Sequence, residues 1–171
     1  MRRTSFEDLE CPIARSLEHV GEWWSILIMR DAFDGFTRFD EFERSLAIAP
    51  NMLTRRLKSL VDAGLLERRR YRDRPPRYEY VLTEAGRALR PVVVALYAWG
   101  NQDLAPGDRS LVLVDRATGR EVEPVLVDRA TGTPLSDLDL GFTAGPAATE
   151  PFRDRLADAA AARGRDAAGA S

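Results

Sequence analysis

The stretch "LAIAPNMLTRRLKSLVDAGLLERRRYRDRPPRYEYVLT", residues 46–83, constrains the fold more than any other part of the chain. Pro50 suits a first helical turn, where its missing N–H costs nothing, and Gly64 suits the left-handed residue just past a helix end. Between them, at 100° per residue, Leu53, Leu57, Leu60 and Val61 form one apolar stripe. Asn51, Arg55, Lys58 and Asp62 stand opposite, Thr54 flanks that polar stripe, and Arg56 lies nearer the apolar edge. A short amphipathic helix near 38–46, with Phe39, Phe42 and Leu46 turned inward, leads into the tight turn "SLAIAP". Two helices joined in this way make a helix-turn-helix arrangement. After Gly64, "LLERRRY" and "RYEYVLT" read as two strands around "RDRPP", with Tyr78, Tyr80 and Leu82 on one face.

The flanking sequence supplies a frame for this unit. Residues 12–20 read as a helix with Pro12 in its first turn, Gly21 as its stop, and Ile13, Leu17 and Val20 as its inward stripe. The next helix, 22–33, is apolar on most sides and belongs at the domain centre, with Trp23, Trp24, Phe33 and Phe36 as core aromatics. Thr83 caps a final helix over 84–100 that carries Leu89, Val92, Val93, Leu96 and Trp99 at core-like spacing, and Pro91 should kink or split it. These elements define a domain over 1–104. Beyond it "VLVDRATG" occurs twice, at 112–119 and 125–132, which predicts two successive hairpins over 105–142 with Gly119 and Gly132 at positive φ. An Ala/Gly/Arg-rich tail, 143–171, holds a predicted helix at 150–163 and a frayed end.

Charge is distributed unevenly. The chain is slightly acidic, with net charge -2, yet residues 67–77 pack six arginines into eleven positions and 55–78 carry nine basic against three acidic side chains. A helix-turn-helix followed by such a hairpin is the outline of a winged helix, an α+β fold that is mainly helical, with a two-stranded wing and here a small C-terminal β-hairpin module. Its second helix enters a DNA major groove and presents polar residues to base edges. Arg55 and Lys58 can reach guanine, Asn51 can pair with adenine, Thr54 can reach a base or a phosphate, and Arg38 and Arg56 complete the expected basic set. A tip bearing Arg72, Arg74 and Arg77, stiffened by Pro75 and Pro76, meets phosphates or the minor groove with little ordering entropy left to lose.

The motifs "CPI", "FxRFDEF", "NMLTRRLKSLVDAGLLERRRY", "PPRYEYVLTEAGRAL" and "WG" occur in an order that resembles the HxlR-type winged helix-turn-helix transcriptional regulators of the MarR-like superfamily. The resemblance spans roughly residues 9–101. It implies a bacterial homodimer joined through the first and last helices of the core domain and bound to a pseudo-palindromic operator. Thr54 and Arg55 would then lie in the reading helix and the Arg72–Arg77 loop in the wing, with repression as the default mode. Some family members sense oxidants or electrophiles through a cysteine before the same proline. Cys11, at a helix start where N–H groups and the helix dipole favour a thiolate, is therefore the candidate sensor, with simple packing as its alternative.

Other chemistries find no support in the residues. The turns "DRATGRE" and "DRATGTP" contain neither Cys nor His, so a structural zinc site is not expected, and Asp115 and Asp128 read as turn caps. GxSxG and glycine-rich phosphate loops are missing, so neither a hydrolase nor a nucleotide cofactor is expected, and His19 reads as a surface or interface residue. No apolar run approaches the ~20 residues of a spanning helix, and the N-terminal residues lack the apolar core of a secretion signal. With a single cysteine this favours a reducing cytoplasm. A small-molecule effector stays open as a further partner, and the alternative function is a winged-helix protein-interaction module whose β appendage docks a partner.

Overall fold

The computed structural model describes residues 9–169; the N-terminal segment read above for a secretion signal, residues 1–8, and the last two residues of the tail lie outside them. Four helices come first: α1 (Pro12–Val20), α2 (Trp23–Asp34), α3 (Phe39–Leu46) and α4 (Pro50–Asp62). The strands β1 (Leu66–Asp73) and β2 (Pro76–Leu82) form an antiparallel hairpin, followed by α5 (Glu84–Ala88) and α6 (Arg90–Asn101). After an extended segment, α7 (Glu150–Gly169) closes the chain.

The core sits where α2, α3 and α4 meet the base of the hairpin: Ile28, Met29, Phe42, Ile48, Leu53, Leu57, Leu60 and Leu66 are buried together. Each buried leucine contributes roughly 1.5–3 kcal/mol relative to exposure. These residues are the apolar stripes of their helices, so the periodicity and the packing agree. Two backbone devices set the angle between α3 and α4. Ala47 ends α3 in the left-handed region at φ 48°, a conformation that costs an alanine about 1 kcal/mol. Pro50 then starts α4, whose end turns into β1 through Gly64 at φ 69°.

Glycine is required for space at two other positions. A Cβ on Gly21 would collide with the carbonyl oxygen of Leu17, and one on Gly86 with that of Leu65. Gly21 therefore stops α1 by close approach, at φ -67°, and not by a left-handed turn. Thr83 caps α5 by accepting from the Gly86 N–H at 2.9 Å, and its hydroxyl donates to the Gly64 carbonyl at 2.6 Å, which ties this cap to the start of the wing. Pro91 splits the expected final helix into α5 and α6, with Leu89 as the joint.

Several expectations change in three dimensions. Of the stripe Ile13, Leu17 and Val20, only Val20 is buried. Trp23 is 86% exposed and Trp99 69%, while Trp24 and Phe33 pack against the core and Phe36 does not. Amphipathic spacing shows that a face is apolar; it does not say whether the same subunit covers it. The repeat folds as two Asp-headed turns, each closed by a single bridge pair, Val114–Glu121 and Val127–Pro134, instead of as two-stranded ladders. Each bridge is flanked by two backbone bonds, and the Leu113 N–H, which would extend the first pairing, donates to the Tyr97 hydroxyl instead. Gly119 and Gly132 do take positive φ, 71° and 73°. Asp115 and Asp128 cap their turns by accepting from the N–H groups of Ala117 and Ala130 at 2.9 and 3.1 Å, which lowers both carboxyl pKa values. The tail helix extends past its expected end at 163 to Gly169, in keeping with the high helix propensity of its alanines.

Candidate DNA-binding surface

On α4, Asn51, Thr54, Arg55 and Lys58 are all exposed, as the stripe requires. Their hydrogen bonds distinguish them. Arg55 has no carboxylate partner among the described residues, so its guanidinium fork is available. Lys58 is held by Asp62 one turn further on. The Thr54 hydroxyl donates to the Pro50 carbonyl at 2.8 Å, which leaves its oxygen as an acceptor. Asn51 Oδ1 accepts from the Met52 N–H at 2.7 Å, so in a two-point contact to adenine that oxygen would be shared between two donors.

Arg56 is different. Its side chain is 8% exposed and its Nη2 lies 3.0 Å from Glu22 Oε2, at the α1–α2 elbow. This corrects its assignment to the DNA-contacting set: buried and neutralised, it positions α4 against the elbow. Its Nε finds no partner among the described residues. The sequence placed Arg56 near the apolar edge but carried no signal for Glu22 as its counter-ion, since the pairing joins residues far apart in the chain.

The wing is longer than expected. Asp73 pairs with Pro76, so the loop shrinks to Arg74 and Pro75, joined by a cis peptide bond, and a bulge lies between Arg70 and Arg72. A single backbone bridge joins at the edge: the Tyr80 N–H donates to the Thr37 carbonyl at 2.7 Å, and Arg38 bridges to Glu79. Arg38 also lies 5.0 Å from the ring centre of Tyr71, so the start of α3 and the wing are locked side by side. The Glu41 carboxylate accepts from the N–H groups of Thr37 and Arg38 at 2.9 and 2.8 Å, and these bonds, Thr37 first, hold its pKa below the usual range.

The wing arginines fall into two groups. Arg69 is bonded to Glu67 at 2.8 Å, which raises the pKa of the guanidinium and lowers that of the carboxyl, and Arg70 lies 3.2 Å from Asp73. Arg72, Arg74 and Arg77 are exposed and have no carboxylate partner among the described residues. Arg68 belongs with this second group, stacked 3.5 Å over the ring of Tyr78. It was not singled out from sequence, although its cross-strand place beside the tyrosines follows from strand alternation.

Cys11 occupies the N-cap position of α1 and is half-buried. Its thiol pKa is lowered, chiefly by the Ala14 N–H, then by that of Ile13 and by the charges of Arg155 and Arg15, against an opposing desolvation effect. The tail reaches back to this corner: Thr149 donates through its hydroxyl to Glu10 at 2.7 Å.

A helix-turn-helix whose second helix exposes its polar face, followed by an arginine-bearing two-stranded wing, defines a winged helix-turn-helix protein. The profile of the HxlR-like helix-turn-helix family matches residues 19–108, and the chain belongs to that family of DNA-binding transcriptional regulators. The uncharacterised HTH-type transcriptional regulator Rv3095 of Mycobacterium tuberculosis is 42% identical over 113 residues, 66% of this chain and 72% of that protein. The structure of PA1374 from Pseudomonas aeruginosa, assigned as a transcription factor, aligns at 57% identity with a TM-score of 0.63, covering 85% of this chain and 100% of that one. That coverage exceeds what residues 1–108 can supply, so the likeness reaches into the C-terminal segment. The redox regulator HypR, in its reduced form, aligns at 37% identity with a TM-score of 0.51, over 55% of this chain and 96% of that one. Among the described residues no helix is long and apolar enough to cross a membrane.

Proposed function

We propose that the chain is a sequence-specific repressor that binds a pseudo-palindromic operator as a homodimer, with α4 in the major groove and the wing on the flanking backbone. The observation that carries this reading is the segregation of charge. Among the described residues, Arg55 on α4 and Arg72, Arg74 and Arg77 on the wing are left without carboxylates, in a chain whose net charge is -2. Two faces support the dimer: Ile13 and Leu17 of α1, and Val92, Leu96 and Trp99 of α6, are apolar and exposed on one subunit. A dimer covering an operator blocks polymerase sterically, which favours repression.

The kinship with HypR and the lowered thiol pKa support a second layer, in which oxidation or alkylation of Cys11 weakens operator binding. Selection of bound fragments from genomic DNA, followed by titration in salt, tests the core reading. Binding through ~6–10 phosphates loses roughly 10³–10⁵ in affinity between 50 and 200 mM salt. A flat salt response would favour the other reading, a winged-helix docking module that uses the exposed Val125, Leu126 and Phe142 of the appendage.

A further inference from the structure

Helix α7 begins against the first turn of α1, 139 positions away in the chain: the carboxylate of Glu10 accepts from the Thr149 N–H at 3.2 and 3.3 Å and from its hydroxyl at 2.7 Å. Thr149 stands at the N-terminus of α7, where a carboxylate also meets the positive end of the helix dipole. Between residues 150 and 160 only Phe152 and Leu156 are half-buried, and every other side chain is exposed. Four apart, they share the one face that α7 turns to the domain. A cavity of about 590 Å³ lies beneath that face, lined from α1 by Cys11 and Ile13 and from the tail by Phe142, Phe152, Arg155 and Leu156.

The same C-terminal segment is fastened a second time, on α6, where the Leu113 N–H donates to the Tyr97 hydroxyl at 3.0 Å. It therefore runs from the last helix of the winged domain to the first, and its end lies over the one cysteine of the chain. The seat on α1 is light: Phe152, Leu156 and a set of solvent-exposed bonds to Glu10 hold it. A segment with so few buried contacts opens locally at much lower free energy than the domain unfolds.

We propose that residues 142–156 are a strap over the Cys11 cavity: closed on Glu10, it keeps bulky reagents from the thiol, and its opening admits them. As a control on oxidant or electrophile sensing, the strap rests on the Cys11 reading above. The strap itself does not, and it is measured without DNA.

With a single cysteine, labelling of the full chain reports this position alone. N-ethylmaleimide and a branched polyethylene glycol maleimide share one chemistry. The thiolate adds to the maleimide C=C, an S–C bond forms, and the resulting carbanion takes a proton from water. Both reagents meet the same thiolate, so the ratio of their rates is independent of the charge that Arg155 lends to Cys11. Only the polymer reagent depends on the open fraction. Relative to the same ratio in the urea-unfolded chain, the folded protein should react about tenfold more slowly with the polymer. Thr149→Asp sets a carboxylate against Glu10 while still capping α7. It should recover about tenfold in the ratio, the low end for a charge-assisted bond because the pair is exposed. Thr149→Ser keeps the hydroxyl and should match the parent protein, with circular dichroism confirming the helices in each variant. A folded chain with the unfolded ratio, a Thr149→Asp ratio equal to the parent's, or a Thr149→Ser ratio as high as that of Thr149→Asp would each overturn the strap. A Cys11 adduct that binds operator like the unmodified chain would sink the sensing reading and leave the strap standing.

Discussion

Salt dependence of DNA binding should distinguish the free arginines of the wing from the engaged ones. Arg69 and Arg70 already face Glu67 and Asp73, whereas Arg74 has no carboxylate partner among the described residues. In a homodimer, Arg74→Ala removes two cations. Each lost phosphate contact reduces the slope of log affinity against log salt by about 0.9, so the variant should be flatter by about 1.8. Between 50 and 200 mM salt it should therefore lose about twelvefold less affinity than the parent protein. The double variant Arg74→Ala/Arg77→Ala removes four contacts and should flatten the slope by about 3.6. Arg69→Ala takes away a charge that Glu67 already balances, and its slope should match the parent's. Fluorescence anisotropy with a selected operator and a scrambled duplex measures all of these, and both duplexes should weaken equally because phosphates carry no sequence. If Arg69→Ala flattens the slope as much as Arg74→Ala does, the division of the wing into engaged and free cations is wrong.

Arg55→Ala should reduce discrimination between operator and mutated operator by about 1–3 kcal/mol while leaving non-specific affinity nearly unchanged, as competition binding would show. Glu22→Ala leaves the guanidinium of Arg56 buried without its counter-ion. Glu22 is 38% exposed, so the expected loss in urea unfolding is about 2 kcal/mol, below the roughly 3–5 kcal/mol for a fully buried pair; an unchanged midpoint would show that Arg56 does not hold α4 to the elbow. Cys11 should react with iodoacetamide faster as pH rises, and the midpoint in the folded protein should lie below that in urea, because the Ala14 N–H stabilises the thiolate only in the fold. Identical midpoints would remove the electrostatic basis for a sensing role.

Local sequence was enough to place most of the elements that build the candidate DNA-binding surface. Pro50, Gly64, Thr83 and Pro91 mark element boundaries through backbone chemistry that acts within a turn, so each could be read without knowing the rest of the chain. The apolar stripes of α3 and α4 likewise predicted the side chains that pack, because one helix face meets one core. Family membership followed from motif order and agrees with the profile match.

What could not be read from the chain was which partner each group chose. Arg55 and Arg56 are adjacent and chemically identical, yet one points to solvent and the other is buried on Glu22, thirty-four positions away. The same holds for Arg69 against Arg74, for Trp24 against Trp23, and for the tail helix held by Glu10 through Thr149. Helix and turn signals are short-ranged properties of the backbone. Charge compensation and burial depend on distances through space between segments remote in sequence, and those distances exist only once the chain has packed.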